Sequence, residues 1–428
     1  MNIFIKNAEI ITMDKENPVI SGGNIRISGN KIVYVGKDGV PCESDKIIDA
    51  RGGIVMPGLI NAHTHVPMTL LRGYADDLPL HTWLFDKIFH AEDRLDSDAV
   101  YYGAKVAMAE MIKSGTTTFA DMYFFSESVA KAAIKAGMNA NIARCVTGKE
   151  EDFKERLNEA RALFDEYNCE NDGAVKIDFS VHAIYTCGKQ AVRETSRLCK
   201  KLGANMHIHL SETMKENGDC YAEYGKSPTE MFNSWGVFEN KTNAAHCVYL
   251  SENDMNILKE KNVSVSHNPT SNLKLASGVA NIKEMQEKGI SIAIGTDGTA
   301  SNNALNMFFD LKLCALLQKG IRLDPTIVSA EDALFMATVG GAEALGRADT
   351  GRIKEGNRAD IIILDSFAPS LIPVHNPISL AVYSASGAEV KTSIIGGRIV
   401  MEDRELKTID LEEAKAKVNE SLKRMKLI

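Results

Sequence analysis

His63 and His65 stand two residues apart, at the end of an apolar run that begins at Gly53 and passes through Ile54-Val55-Met56-Pro57-Gly58-Leu59-Ile60. In a strand, residues two apart face the same side, so the pair presents two imidazoles together. Two neutral ring nitrogens held that way are half of a tetrahedral zinc site. Surface strands carry His-x-His by chance; the apolar run leading into this pair is what marks it. A second pair ends Met206-His207-Ile208-His209-Leu210 and also shares a face by parity. His209 lies a layer nearer the C-terminal end of its strand, which makes it the third ligand and His207 a core histidine. Glu212 follows three residues on, where a loop carboxylate can reach a water on the metal. His246 closes Asn243-Ala244-Ala245, and Asp297 follows Ile292-Ala293-Ile294-Gly295-Thr296. An Asp-Gly is usually a turn, but after a buried strand its charge needs a partner. A role as fourth ligand or proton acceptor supplies one.

Three histidines and an aspartate bind a single zinc and leave room for water, whose pKa the ion lowers to about 7. A carboxylic acid alongside can donate a proton to a ring nitrogen of the substrate, and a second base can take the proton of the water. Hydrolytic deamination of a purine or pyrimidine amidine needs that trio.

The elements that must position these residues are legible in the rhythm of the chain. Eight apolar runs (54–60, 116–121, 138–146, 175–182, 204–210, 243–246, 263–267 and 290–296) alternate with helical stretches. Three of those stretches, 97–114, 126–136 and 189–202, are each followed by a glycine, the expected helix stop. Strands alternating with helices mean βα units and a parallel sheet. Eight units over 54–346 predict a (β/α)8 TIM barrel. Six of the ten histidines (63, 65, 182, 209, 246 and 267) fall at or just past the end of a predicted strand, the rim where barrel enzymes assemble their sites. An open doubly wound sheet would show a Gly-rich phosphate turn after its first strand; here that turn is Asn61-Ala62-His63-Thr64-His65. Residues 1–53 and 347–428 carry short alternating strands punctuated by Gly22-Gly23, Gly29-Asn30 and Gly396-Gly397. Neither fragment can bury a core alone, so the two are expected to combine into one small β-sandwich domain, with a tail helix over 411–427.

Composition sets the outer limits. A hydrophobic share of 44% with 25% charged residues in 428 is that of a globular chain with a large core. A net charge of −8 argues against a nucleic-acid surface. No run of 18 apolar residues is present, so no membrane span is expected. The first residues lack the pattern of a signal peptide. Eight scattered cysteines without a repeated spacing then read as reduced thiols in the cytoplasm.

The set His63-x-His65, His209 with Glu212, His246 and Asp297 resembles the mononuclear amidohydrolase superfamily over essentially the whole chain. Finer motifs are Met68-Thr69-Leu70-Leu71-Arg72-Gly73-Tyr74-Ala75-Asp76-Asp77, His267-Asn268-Pro269-Thr270-Ser271-Asn272-Leu273-Lys274 and Gly295-Thr296-Asp297-Gly298-Thr299-Ala300-Ser301-Asn302-Asn303. They resemble the 5-methylthioadenosine/S-adenosylhomocysteine deaminases, and chlorohydrolases and guanine deaminases share parts of them. The resemblance implies one zinc per subunit, with iron or manganese as alternatives, on His63, His65, His209 and Asp297. It makes Glu212 the proton shuttle and has His246 hold the attacking water. It assigns the ribose hydroxyls to Glu92, the adenosine to His182, and a homocysteine carboxylate to Arg144 and Arg156. Carboxylates accept paired hydroxyls and arginine matches a carboxylate. If Arg156 points away from the pocket, adenosine and methylthioadenosine become equal candidates.

The implied reaction removes the adenine C6 amino group of S-adenosylhomocysteine, 5'-methylthioadenosine or adenosine, giving the inosyl product and ammonia. The small-molecule partner is a nucleoside; a homo-oligomer is among the expectations, its subunit number left open. The rival readings are action on another aminated heterocycle, such as guanine or a triazine, and a catalytically silent scaffold. A two-metal cyclic-amide hydrolase would need a lysine at the rim of strand four, where the strand's lysine, Lys176, stands at its start.

Overall fold

The apolar runs assemble into one parallel sheet of eight strands in the computed structural model, which describes residues 2–149 and 152–428. The strands are Leu59–Thr64, Thr116–Tyr123, Asn139–Val146, Val175–Val181, Met206–Leu210, Thr242–His246, Ser264–His267 and Ile292–Ile294. Each pairs with the next in chain order. The first and eighth meet through side chains and loop backbone. Thr296 and the Asn61 amide exchange hydrogen bonds of 2.7 and 2.9 Å, and the Asp297 N–H donates to the His63 carbonyl at 2.9 Å. The barrel is thereby drawn together at the end where the histidines stand.

Helices cover the outside of the sheet. Ser97–Lys113 starts from Asp96, whose carboxylate accepts the Ala99 N–H at 2.8 Å, a cap worth about 1 kcal/mol. Ser126–Ala136 and Lys189–Leu202 end at Gly137 and Gly203, both left-handed, as the glycine pattern predicts. Inside the barrel, Ser266 Oγ reaches the Ala62 carbonyl at 3.2 Å and the Asn243 amide oxygen at 2.7 Å.

Ile54–Pro57, expected as the start of the first barrel strand, belongs to the other sheet. Ile54 and Val55 pair with Glu9 and Ile10, and Val55–Pro57 pair with Ile361–Ile363. The change of sheet takes one residue. The Gly58 N–H donates to Asp360 O at 3.0 Å, and the Leu59 N–H donates to Gly115 O at 2.9 Å. A Cβ on Gly58 would lie 2.1 Å from Thr117 Cγ2, so only glycine passes this point. The chain thus changes sheet at residue 58, beyond the 53/54 position at which the barrel is expected to start. Apolarity could not reveal it, because every residue from 54 to 60 is buried whichever sheet holds it.

The end sheet is mixed, has nine strands and branches at Asn2–Ile11. Ile3, Ile5, Ile25 and Ile27 from the start of the chain share one apolar cluster with Ile361, Ile363 and Ile394 from its later part. The tail helix, Leu411–Arg424, lies against Ser97–Lys113, where Lys105 Nζ meets Glu413 Oε2 at 2.7 Å. Among the described residues, no helix is long and apolar enough to cross a membrane.

Candidate active site

The first barrel strand delivers His63 and His65, the fifth His207 and His209, the sixth His246 and the turn after the eighth Asp297. All are buried. Four of these imidazoles, those of His63, His65, His209 and His246, are fixed through Nδ1. His65 Nδ1 lies 2.7 Å from the Met122 carbonyl, and His209 Nδ1 2.8 Å from the His182 carbonyl. His63 Nδ1 is 2.9 Å from His207 Nε2, and His246 Nδ1 is 2.8 Å from Asn272 Oδ1. A carbonyl can only accept, so His65 and His209 carry their proton on Nδ1 and expose a lone pair on Nε2. These two Nε2 atoms are 3.2 Å apart. His63 Nε2 and His65 Nε2 lie 3.4 and 3.3 Å from Asp297 Oδ1.

Lone pairs that converge without a proton between them repel unless a cation stands among them. His63 Nε2 is moreover buried with no hydrogen-bond partner among the described residues. The nitrogens of His63, His65, His209 and His246 and the oxygen of Asp297 form two overlapping groups, each with its ligand atoms within 4.8 Å. Three nitrogens and one carboxylate oxygen are a donor set that fits a divalent metal.

Electrostatics agree with that fit. Burial lowers the pKa of His63 to about 4 and pushes those of His65 and His209 down, so the rings are neutral. Burial works against the Asp297 carboxylate, but contact with His63 and His65 more than offsets it and holds the group well below its ordinary range. Asp297 also accepts from Ser271 Oγ at 2.6 Å, the Gly298 N–H at 2.7 Å and Ser301 Oγ at 3.0 Å. Glu212 is shifted the other way: burial raises its pKa. Its Oε1 accepts from Ser277 Oγ at 3.1 Å and its Oε2 lies 3.9 Å from His246 Nε2. Burial lowers the His246 pKa, but the Glu212 and Asp297 carboxylates outweigh it and the net shift is upward. Ser211, His246 and Asp297 all have left-handed backbones, at φ 48°, 74° and 63°. Such strain in residues other than glycine gathers at functional sites.

Glu92 and His182 line the same cavity as His65, His209, Glu212, His246 and Asp297; its volume is about 60 Å³. Burial raises the Glu92 pKa to about 8, with the nearby Tyr123 hydroxyl pulling the other way. Burial lowers that of His182 to about 3. The two arginines are not on the cavity wall. Arg144 alternates with Ala143 and Cys145 and turns outward, its Nε 2.6 Å from Glu159 Oε2 and its guanidinium 5.3 Å from the Phe124 ring. Arg156 donates to Thr147 O and Asp152 O, both at 3.1 Å, and pairs with Asp152. Strand parity carried the reason for Arg144: Cys145, its neighbour, takes the cavity-facing position.

Sequence reasoning read His207 as packing, yet it orients His63. It also passed over Ser271, Asn272, Ser277 and Ser301, which hold Asp297, His246 and Glu212. Three of these four lie in the quoted motif segments.

A parallel barrel with a histidine and aspartate cluster at its C-terminal rim defines a metal-dependent hydrolase of the amidohydrolase type. The Amidohydrolase family model matches residues 54–400, and the chain belongs to that family. A 5-methylthioadenosine/S-adenosylhomocysteine deaminase of Acetivibrio thermocellus is 45% identical over 99% of this chain and 100% of its own. A 5'-deoxyadenosine deaminase of Methanothermobacter thermautotrophicus is 42% identical over 93% of this chain and 96% of its own. Among solved structures, an adenosine deaminase from Xanthomonas campestris with bound zinc superposes with a TM-score of 0.94 at 32% identity, covering 100% of this chain and 99% of that one.

Proposed function

We propose that this protein hydrolytically deaminates adenine nucleosides, S-adenosylhomocysteine, 5'-methylthioadenosine or adenosine, giving the inosyl product and ammonia. The observation that carries the reading is the convergence of His63, His65, His209 and Asp297 beside a buried carboxyl, Glu212, whose pKa burial raises. Relatives with deaminase names over nearly the full chain support the choice of adenine nucleosides.

His63, His65, His209 and Asp297 would hold the metal, with zinc as the proposed ion and iron or manganese as alternatives. When bound, such an ion supplies Lewis acidity that brings the pKa of water to about 7. Glu212, whose pKa burial raises, delivers a proton to N1 of the purine. Asp297, kept ionised, takes up the proton of the attacking water. His246 has its Nδ1 held by Asn272 and a raised pKa, so its ring can stabilise the negative charge that develops as C6 becomes tetrahedral. Glu92 accepts the two ribose hydroxyls, donors that favour its ionised form. His182 stays neutral and meets the adenosine. Arg144 and Arg156 stand behind the wall, so the reading does not single out a carboxylate-bearing tail. The eight cysteines are free thiols, which suits a reducing compartment.

The purified protein is given S-adenosylhomocysteine, 5'-methylthioadenosine, adenosine and guanine while purine absorbance and ammonia are followed, and its metal is analysed. Turnover of adenine nucleosides, lost to a chelator and restored by zinc, is the expected result. Metal-loaded protein that turns over none of them overturns the reading.

A further inference from the structure

We propose that Glu216 is the positioning residue for Glu212, an inference that rests on the deaminase reading for Glu212's role. Thr213-Met214-Lys215-Glu216 has the spacing of a capping box, in which the acid returns to the backbone N–H of its own cap residue. Three other helices of this chain do that. Ser227 N–H meets Glu230, Ser251 N–H meets Asp254 and Ser329 N–H meets Asp332, each at 2.9 Å.

The helix Met214–Tyr224 keeps half of the motif. Thr213 Oγ1 accepts the Glu216 N–H at 3.0 Å. The Glu216 carboxylate reaches further back: Oε2 accepts the Glu212 N–H at 2.7 Å and Oε1 the Ser211 N–H at 3.3 Å. Two successive N–H groups point at the two oxygens of one carboxyl group because Ser211 is left-handed, at φ 48°. The Ser211 carbonyl is held as well, by the Val248 and Tyr249 N–H groups, both at 3.0 Å. Ser211 is thus clamped on both sides of its strained turn, and that turn sends Glu212 into the cavity. A carboxylate can accept both N–H groups. An amide can accept one, and its NH2 opposes the other.

The test compares Glu216→Gln with Thr213→Ala in the full, metal-loaded chain. Thr213→Ala removes the hydroxyl cap of the same helix and leaves the Glu216 carboxylate in place. Glu216→Gln is expected to lower kcat by about 10- to 100-fold, the scale of a reacting group displaced by an ångström, with KM within about threefold. Amide exchange at Ser211 and Glu212 should speed up. Thr213→Ala should lower Tm at least as far with kcat within about threefold of the parent. Should Glu216→Gln not fold, Glu216→Asp, with its charge withdrawn by one methylene, is expected to show the same loss of kcat. Unchanged exchange and kcat in the position-216 variant overturn the proposal. So does a Thr213→Ala variant that loses as much kcat. Exchange is read without substrate, so parent protein inert toward every nucleoside counts against the deaminase reading while exchange still decides the clamp.

Discussion

His207 sits directly behind His63, with its Nε2 2.9 Å from the Nδ1 of its neighbour. Both rings are buried, and the contact fixes which way His63 presents Nε2 to the cluster. Outer partners of this kind typically account for 10–100-fold in metal affinity. His207→Phe, which fills the space without a ring nitrogen, is expected to weaken zinc by about that factor, and His207→Gln to recover part of it. Competition with a chromophoric chelator gives the two constants; equal affinity in all three proteins would show that His63 needs no support.

On the proposed reading, Glu92 separates nucleosides from free bases. A hydrogen bond to a charged group contributes about 1.5–3 kcal/mol, so losing the carboxylate should cost at least about tenfold in kcat/KM on substrates with a ribose. Glu92→Gln should leave any turnover of guanine or adenine bases within a few-fold. An equal loss on both classes would place Glu92 outside ribose recognition.

Asp310 is buried behind the site and accepts the Thr270 N–H at 3.2 Å and Asn302 Nδ2 at 3.1 Å. Burial raises its pKa to about 7, well above the ordinary carboxylate range. A carboxyl shifted upward binds its proton more tightly folded than unfolded. Its contribution to stability is complete below about pH 4 and is lost as pH rises through about 7. Asp310→Asn cannot ionise, so its Tm should be lower at acid pH and fall less steeply toward about pH 8 than that of the parent. Parallel Tm curves would mean that Asp310 is not the titrating group.

Gly58→Ala should destabilise without touching the chemistry. Its methyl would meet the buried, β-branched Thr117 at 2.1 Å, and Thr117 has little rotamer freedom to yield. Overpacking of this kind costs about 1–3 kcal/mol. Denaturant unfolding should show that loss, with kcat per folded molecule unchanged.

Much of the candidate site was legible because its histidines sit on strands, where parity and the apolar runs tell which residues share a face. His63, His65 and His209 were legible from that alone. His207 was visible by the same parity, but nothing in a single strand tells a packed imidazole from one that supports another. Ile54–Pro57 was misplaced because a strand buried on both sides looks alike in either sheet. Arg144 followed a motif while its own parity pointed outward. Glu216, Asn272 and Ser277 act from loops and helix starts, where contacts depend on how distant segments fold against each other and no periodicity reports them.

The change of sheet at residue 58 also orders events during synthesis. Ile54–Pro57 is made well before one of its two partner strands, Ile361–Leu364. Until then the segment leading into His63 and His65 has an open edge, of the kind that invites wrong pairing. The strand that carries His63 and His65 is therefore fully tethered only late, and a ribosome-bound chain stopped before residue 361 would present those residues with one edge of the segment leading into them unpaired.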